Sequence, residues 1–457
     1  MVSGHIVQHI FKTNNYQLAT SNYQLGSGYH HGMIDIALLR EQPDTLKASL
    51  ARRGLDLDVD LMAQIDQDRR MTRAKAESMR AEQKRLSRSI PRLEGEARQE
   101  AIAKAGELAA KYRGALAKAD ELDEQFRVLW IRVPNPAHPS AADGLVEEDA
   151  VEIKRWGAVR DFDFPVGDHR ELGAGLGMID IERAAKVSGS RFGYLTGPAV
   201  ILEFALVRMA LELLGDKGFT PVVPPVLVRE EALFGTGFFP DDDQQVYEVG
   251  VDAGDGLRSD NLYLVGTSEV SLAAFHAGEV LDEDALPLRY AGFSSCFRRE
   301  AGAHGKDTAG IFRVHQFDKV EMFSFCHPER SWDEHEMLLG IEEEIVQSLE
   351  IPYRVVNVAA GDLGSSAAKK YDIEAWIPSQ GRYREITSCS NTTDFQSRRM
   401  RIRYRTDRGN RLVHTLNGTA VAVGRLLIAL MENHQQADGS VVVPDSLRAY
   451  AGFDRIG

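Results

Sequence analysis

Apolar and polar residues alternate along the chain in three distinct patterns, each predicting a different kind of element. Residues 96–131 carry Ala101, Ala105, Leu108, Tyr112, Leu116, Ala119, Leu122, Phe126 and Leu129 at spacings of three and four. That is the stripe of a helix facing another helix over about four heptads. Residues 60–90 carry a thinner stripe, Leu61, Ile65, Thr72, Met79, Leu86 and Ile90, and Pro91 and Gly95 break the pattern between the two. The prediction is an antiparallel helical hairpin with arms roughly 45–55 Å long at ~1.5 Å per residue, packed chiefly on itself. Ahead of it, residues 34–59 read as a short helical region in which Pro43-Asp44 opens a helix. Behind it, Val133-Pro134-Asn135-Pro136 reads as a linker.

The second pattern is two-residue alternation. Within residues 290–323 two alternating runs flank a loop at 301–310 with glycines at 302, 305 and 310, which predicts a β-hairpin. Alternation places Arg313, Phe317 and Glu321 on one face of its second strand, with Arg298 and Glu300 together at the end of the first. Residues 263–269 read as a short strand ending in Thr267-Ser268-Glu269, and 382–393 as another. In the third pattern apolar residues are nearly continuous. Residues 199–214 form a helix running into Gly218-Phe219-Thr220-Pro221, and 411–435 read as strand, turn and apolar helix. Arg425 is expected on the helical face of Val421 and Ile428, where a buried guanidinium needs an anion. Residues 1–32 are polar without usable periodicity and are expected to be a disordered extension.

Composition narrows the class. With 43% hydrophobic and 27% charged residues, the 457-residue chain has room for two or three cores, and no apolar run reaches the ~18 residues of a membrane span. The net charge of −14 argues against a chain built wholly around nucleic acid, so any RNA contact must be a local basic patch. One such patch exists: Arg69, Arg70, Arg73, Lys75, Arg80, Lys84, Arg85, Arg88 and Arg92 are opposed only by Glu77 and Glu82. It reads either as a solvated helix face or as a surface for a phosphate backbone. Three cysteines, far apart, predict no structural disulfide and a reducing, cytoplasmic setting; their spacing suggests no zinc site. Gly173-Ala174-Gly175-Leu176-Gly177 is not a dinucleotide loop, because no strand precedes it and the spacing is wrong. The face of Arg298, Glu300, Arg313, Phe317 and Glu321 suits a nucleoside triphosphate: guanidinium forks for phosphates, a ring for a base, carboxylates for an ammonium group.

Phe297-Arg298-Arg299-Glu300, the loop, and Phe312-Arg313 with His315-Gln316-Phe317 resemble motif 2 of the class II aminoacyl-tRNA synthetases. The wording of 315–323 resembles the seryl-tRNA synthetases in particular. Residues 218–225 resemble motif 1 and 411–435 motif 3, and the likeness runs from Met33 to near the C-terminus. The resemblance implies an α+β fold: a mainly antiparallel sheet flanked by helices, with the N-terminal coiled-coil hairpin projecting from it. Residues 33–142 would form a tRNA-binding domain and 143–457 the catalytic domain, dimerising through motif 1.

It further implies ATP contacts from Arg298, Arg299, Glu300, Arg313, Val314, Phe317, Glu385, Ile386, Thr387, Ser388 and Arg425. Serine contacts would come from Thr267, Ser268, Glu269, Arg298, Glu321, Asn417 and Thr419. Mg²⁺ would sit on Glu385 and Ser388, with no catalytic zinc. Arg80, Lys84, Arg85 and Arg88 would hold tRNA(Ser), with tRNA(Sec) as a second partner. Glu385 and Ser388 differ in strand parity, so both can reach one ion only across a bulge or a strand end. Two other readings stay open. One is a related ligase charging a carrier protein, against which the basic arm speaks. The other is a non-catalytic binding protein, against which Arg298, Glu300, Arg313, Glu321 and Arg425 speak together.

Overall fold

The structure, a computed structural model, describes residues 34–240, 243–250, 261–301 and 309–457. The extension expected at 1–32 and most of the loop at 301–310 lie outside these. Both arms are continuous helices, α1 (Val59–Ser89) and α2 (Gly95–Trp130), joined through a 3-10 turn at Ile90–Arg92. Asp58 caps α1, its carboxylate accepting the Leu61 N–H at 2.8 Å. Ala76, Ala101, Ala105 and Ala119 are buried along the seam. Most of the larger stripe residues between them are only half-buried, because two helices alone cover just their facing sides.

The base of the hairpin does not pack on itself alone. Met62, Phe126 and Trp130 share a core with Leu39, Leu46 and Leu50 from the preceding helices and with Phe234 and Phe395 from far along the chain. Here the apolar surface widens beyond the seam to take a third partner. Beside that core lies Asp66, 1% exposed, bonded by Arg40, Arg69 and Arg70. Burial alone would raise the Asp66 carboxyl, but the hydrogen bonds from Arg40 and Arg69 outweigh it and hold it at about 2. That is below its unfolded value near 4, so the stabilisation is present above that pH and fades as pH falls toward 2. Asp66→Ala, which leaves three guanidinium groups without their shared anion, should cost roughly 3 kcal/mol in urea denaturation at neutral pH. The difference from wild type should shrink in acid.

Beyond the hairpin the chain builds an eight-stranded sheet. Its strands are β1 (Val151–Trp156), β2 (Thr220–Val222), β3 (Leu288–Phe297), β4 (Gln316–Cys326), β5 (Tyr353–Asn357), β6 (Lys369–Ile377), β7 (Arg382–Thr393) and β8 (His414–Ala422). They lie in the order β1-β5-β6-β7-β8-β4-β3-β2, antiparallel throughout except where β2 runs parallel to β3. Pro221 sits in the edge strand β2, where a missing N–H costs no ladder bond. Helices α3 (Pro198–Asp216), α4 (Ser331–Ser348) and α5 (Val423–His434) join the sheet in the largest core, Leu206, Leu338 and Leu427 meeting Met322, Ile373 and Leu416.

The β3–β4 hairpin is shorter than alternation suggests. Its ladder ends at the pair Phe297–Gln316. Arg298, Glu300 and Arg313 therefore lie beyond the strands rather than on a strand face. The chain leaves the ladder because the Arg299 N–H turns to the Gln245 carbonyl at 2.9 Å, and Glu300 then adopts a left-handed φ of +49°. Likewise α5 begins at Val423, so Val421 belongs to β8 and shares no helical face with Arg425.

Candidate active site

Side chains of β4 alternate between the core and a cleft. Val320 and Met322 join the helices, while Phe317, Lys319 and Glu321 line a cavity of about 460 Å³. The size suits a nucleotide with a small second substrate. Strands β7 and β8 continue its floor. In β7 one extra residue, Ile386, stands between the pairs Glu374–Glu385 and Ile373–Thr387. This bulge brings Glu385, Ile386, Thr387 and Ser388 all to the cavity despite their differing parities. In β8 Ala420 is the extra residue, between the pairs Glu321–Thr419 and Val320–Val421. Asn417 and Thr419 face the cleft just before it.

The amino-acid end of the cleft is densely bonded. Lys319 Nζ donates to Thr267 Oγ1 at 2.7 Å and pairs with Glu321, whose Oε2 also accepts from Thr419 Oγ1 at 3.2 Å. Glu269 Oε1 accepts from Gln396 Nε2 at 2.7 Å and from Asn417 Nδ2 at 2.9 Å. Burial, reinforced by the charge of Glu321, pushes the Glu269 carboxyl up to about 7.

Cations crowd the other end. The Arg298 guanidinium lies 5.2 Å from the centre of the Phe317 ring, and its Nε donates to the Gly266 carbonyl at 3.1 Å. Arg313 pairs with Glu300. Arg425 Nη1 donates to the Glu385 carbonyl at 3.1 Å and lies 3.5 Å from its carboxylate, with its guanidinium over Phe312. Burial would raise Glu385, but Lys370, Arg425 and Arg298 hold its carboxyl well below the usual range, so it is ionised near neutral pH.

Two relationships decide the family. The family described as Seryl-tRNA synthetase N-terminal domain matches residues 33–137, and the tRNA synthetase class II core domain (G, H, P, S and T) matches 252–434. The chain is 52% identical over 424 residues to the serine–tRNA ligase of Thermobifida fusca, covering 92% of this chain and 98% of the relative. It is also 52% identical over 424 residues to that of Streptomyces coelicolor, with the same shares covered. The chain belongs to the seryl-tRNA synthetase family. Its structure resembles the seryl-tRNA synthetase of Pyrococcus horikoshii complexed with ATP, with a TM-score of 0.86 and 43% identity over 93% of this chain and 99% of that one. The cytoplasmic enzyme of Naegleria fowleri in complex with AMP gives 0.83 and 32% over the same shares.

The cleft gathers most of the residues that the seryl-tRNA synthetase resemblance implies: Thr267, Glu269, Arg298, Glu300, Arg313, Val314, Phe317, Glu321, Glu385, Ile386, Thr387, Ser388, Asn417, Thr419 and Arg425 all line it. Two residues of that set fall outside. The Ser268 hydroxyl turns away to donate to the Gly292 carbonyl at 3.4 Å, and Ser268 stands at the start of the short helix Glu269–Ala273 without capping it. Arg299 is exposed off the lining, since its neighbours Arg298 and Glu300 take the inward positions. Sequence reasoning missed Lys319 and Lys370. Lys319 shares the strand parity of Phe317 and Glu321, a signal that was there to read. Lys370 enters only through the β6–β7 register. On the arm, Arg80, Lys84, Arg85 and Arg88 are all exposed, while Arg69 and Arg73 are held by Asp66, Asp120 and Asp123. The basic run thus divides into a paired base and an exposed outer part.

Proposed function

We propose that the cleft binds ATP and L-serine side by side, with the arm holding tRNA. The chain is a serine–tRNA ligase of class II: it activates serine with ATP and transfers it to tRNA(Ser). A serine carboxylate oxygen bonds the α-phosphorus, the bond to the β-phosphate breaks, and pyrophosphate leaves. A hydroxyl of the terminal tRNA adenosine then takes the seryl group from the adenylate, releasing AMP. The carboxylate is already a nucleophile, so the first step needs positioning and charge neutralisation rather than a base. The observation that carries the reading is the convergence of Arg298, Phe317, Glu321 and Arg425 on one cavity.

In this reading Arg298 holds the α-phosphate and the serine carboxylate, Phe317 stacks on adenine and Glu300 meets its amino group. Arg313 and Arg425 take the outer phosphates. Glu321 receives the serine ammonium, Thr419 its hydroxyl, and Thr267 and Glu269 frame that pocket. Mg²⁺ fits beside them: Glu385 is ionised, Ser388 follows on the far side of the bulge at Ile386, which brings the two to one side of the strand, and no group of three His, Cys, Asp or Glu side chains converges among the described residues. The ion would therefore draw its other ligands from phosphate and water, and it supplies charge neutralisation on ATP. Residues 33–142 serve as the tRNA-binding domain and 143–457 as the catalytic domain. A homodimer is supported by the exposed Phe204 (59%) of α3 and Val223 (83%) beside β2. Three free, buried cysteines support a cytoplasmic setting, and tRNA(Sec) is included as a second substrate.

Serine-dependent ATP–pyrophosphate exchange tests the assignment. A site that hydrogen-bonds a hydroxyl rejects the analogue lacking it by roughly 10⁴-fold. Alanine should therefore be a very poor substrate, and Thr419→Val should slow serine activation and narrow the gap. Equal activation of serine and alanine by wild type would sink the reading.

A further inference from the structure

The cleft has an acid behind its floor that the proposed reaction does not use. Glu342 of α4 is fully buried, and neither carboxyl oxygen has a hydrogen-bond partner among the described residues. The acid lies against Gly418 of β8: a Cβ added there would stand 2.9 Å from Glu342 Oε1, 3.0 Å from Met322 Cε and 3.1 Å from Cys389 Cβ. Gly418 is flanked by Asn417 and Thr419, which both face the cleft. Strand alternation therefore turns Gly418 to the opposite side, where α4 packs. The missing side chain is the room that the carboxyl occupies.

Burying an unsatisfied acid is unfavourable, and a Leu or Met would fill the same space without that cost. What the carboxyl faces gives it a use. The Thr387 hydroxyl and the Thr419 backbone N–H face it and stabilise its charged form, although neither makes a well-formed hydrogen bond to it. Both belong to the pocket floor, and the Thr387 hydroxyl also donates to the Thr419 carbonyl. Asn417 and Gly418 are laddered on both sides, but the pairing with β7 ends at Gly418 and the bulge at Ala420 follows, so Thr419 stands where the regular ladder stops. Burial, with the charges of Glu321 and Asp372 nearby, drives the Glu342 carboxyl far above its ordinary range, so it stands there as a neutral acid.

We propose that Glu342 is a positioning residue for the amino-acid pocket: seated behind Gly418, it sets the backbone from which Thr419 and Asn417 reach the substrate. The inference rests on reading Glu321 and Thr419 as the serine contacts. Its effect is expected to be larger at the amino-acid end, because Arg298, Phe317, Arg313 and Arg425 hang from other segments, although Thr387, which faces the acid, also belongs to the ATP set.

The test compares full-length variants by ATP–pyrophosphate exchange, with thermal melts to confirm folding. Glu342→Leu should raise the KM for serine roughly tenfold or more while the KM for ATP stays within about twofold. Glu342→Gln, neutral and of the same shape, should stay within about threefold of wild type for both. Gly418→Ala should reproduce the serine defect by displacing the carboxyl, and adding Glu342→Asp, which withdraws it by one methylene, should restore part of the loss. If Glu342→Leu does not fold, the Gly418→Ala pair carries the decision. An unchanged serine KM in Glu342→Leu, an equal rise for serine and ATP, or a Glu342→Gln as poor as Glu342→Leu would each overturn the inference. An absence of serine-dependent exchange in wild type would instead overturn the reading of the cleft.

Discussion

Glu321→Gln should lower kcat/KM for serine by roughly 100-fold, about 3 kcal/mol, while the KM for ATP changes by less than about threefold. The substitution keeps the shape and removes the charge assigned to the serine ammonium. It also leaves Lys319, 5% exposed, without its ion partner, although its bond to Thr267 survives. A second consequence concerns pH. Glu269 is held near 7 by burial and then by the negative charge of Glu321. Removing that charge, with Lys319 still present, should move the Glu269 carboxyl down toward the ordinary range. Any acid limb that Glu269 contributes to the pH profile of serine activation should therefore shift to lower pH in the variant. Equal losses for serine and ATP, with the acid limb unmoved, would make Glu321 a structural residue.

The cleft was largely legible in the sequence because strand alternation and local wording carry the same information. Phe317 and Glu321 share a face because β4 is regular where they stand. Legibility fails where regularity fails. Arg298, Glu300 and Arg313 reach the cleft from irregular chain past the last ladder pair, set by contacts with the segment around Gln245 that no pattern within the hairpin encodes. Glu385 and Ser388 posed a parity conflict, and Ile386 resolves it as an extra residue, a position that the sequence did not single out. Lys370 depends on which strand lies beside β7, a matter of tertiary register. The hairpin divides in the same way. Its seam is local and periodic, hence readable, whereas the core that Met62 and Phe126 share with Phe234 and Phe395 joins residues hundreds of positions apart.

That shared core governs how the arm can be tested. Excising 62–129 would remove Met62 and Phe126 from packing on which the rest of the molecule draws, together with the Asp66 cluster. A cut further out, replacing residues 76–116 with a short Gly/Ser bridge, keeps the base core, Asp66 with its arginines, and the pairing of Arg73 with Asp120 and Asp123. This variant should retain serine-dependent pyrophosphate exchange within about threefold, yet lose tRNA charging by roughly 100-fold or more, because it removes the exposed part of the basic run. A milder variant changes Arg80, Lys84, Arg85 and Arg88 to alanine, a strong helix former that leaves α1 intact. Arg80 also lies over the Tyr112 ring, 5.6 Å from its centre, so a small loss of arm stability accompanies that change. Losing phosphate contacts should raise the KM for tRNA and flatten its dependence on salt, by a slope of ~0.7–0.9 for each contact removed. Serine and ATP constants should not move. Normal charging by the fourfold variant at physiological salt would reduce these side chains to a solvated face. Normal charging by the shortened arm would remove the hairpin from tRNA recognition altogether.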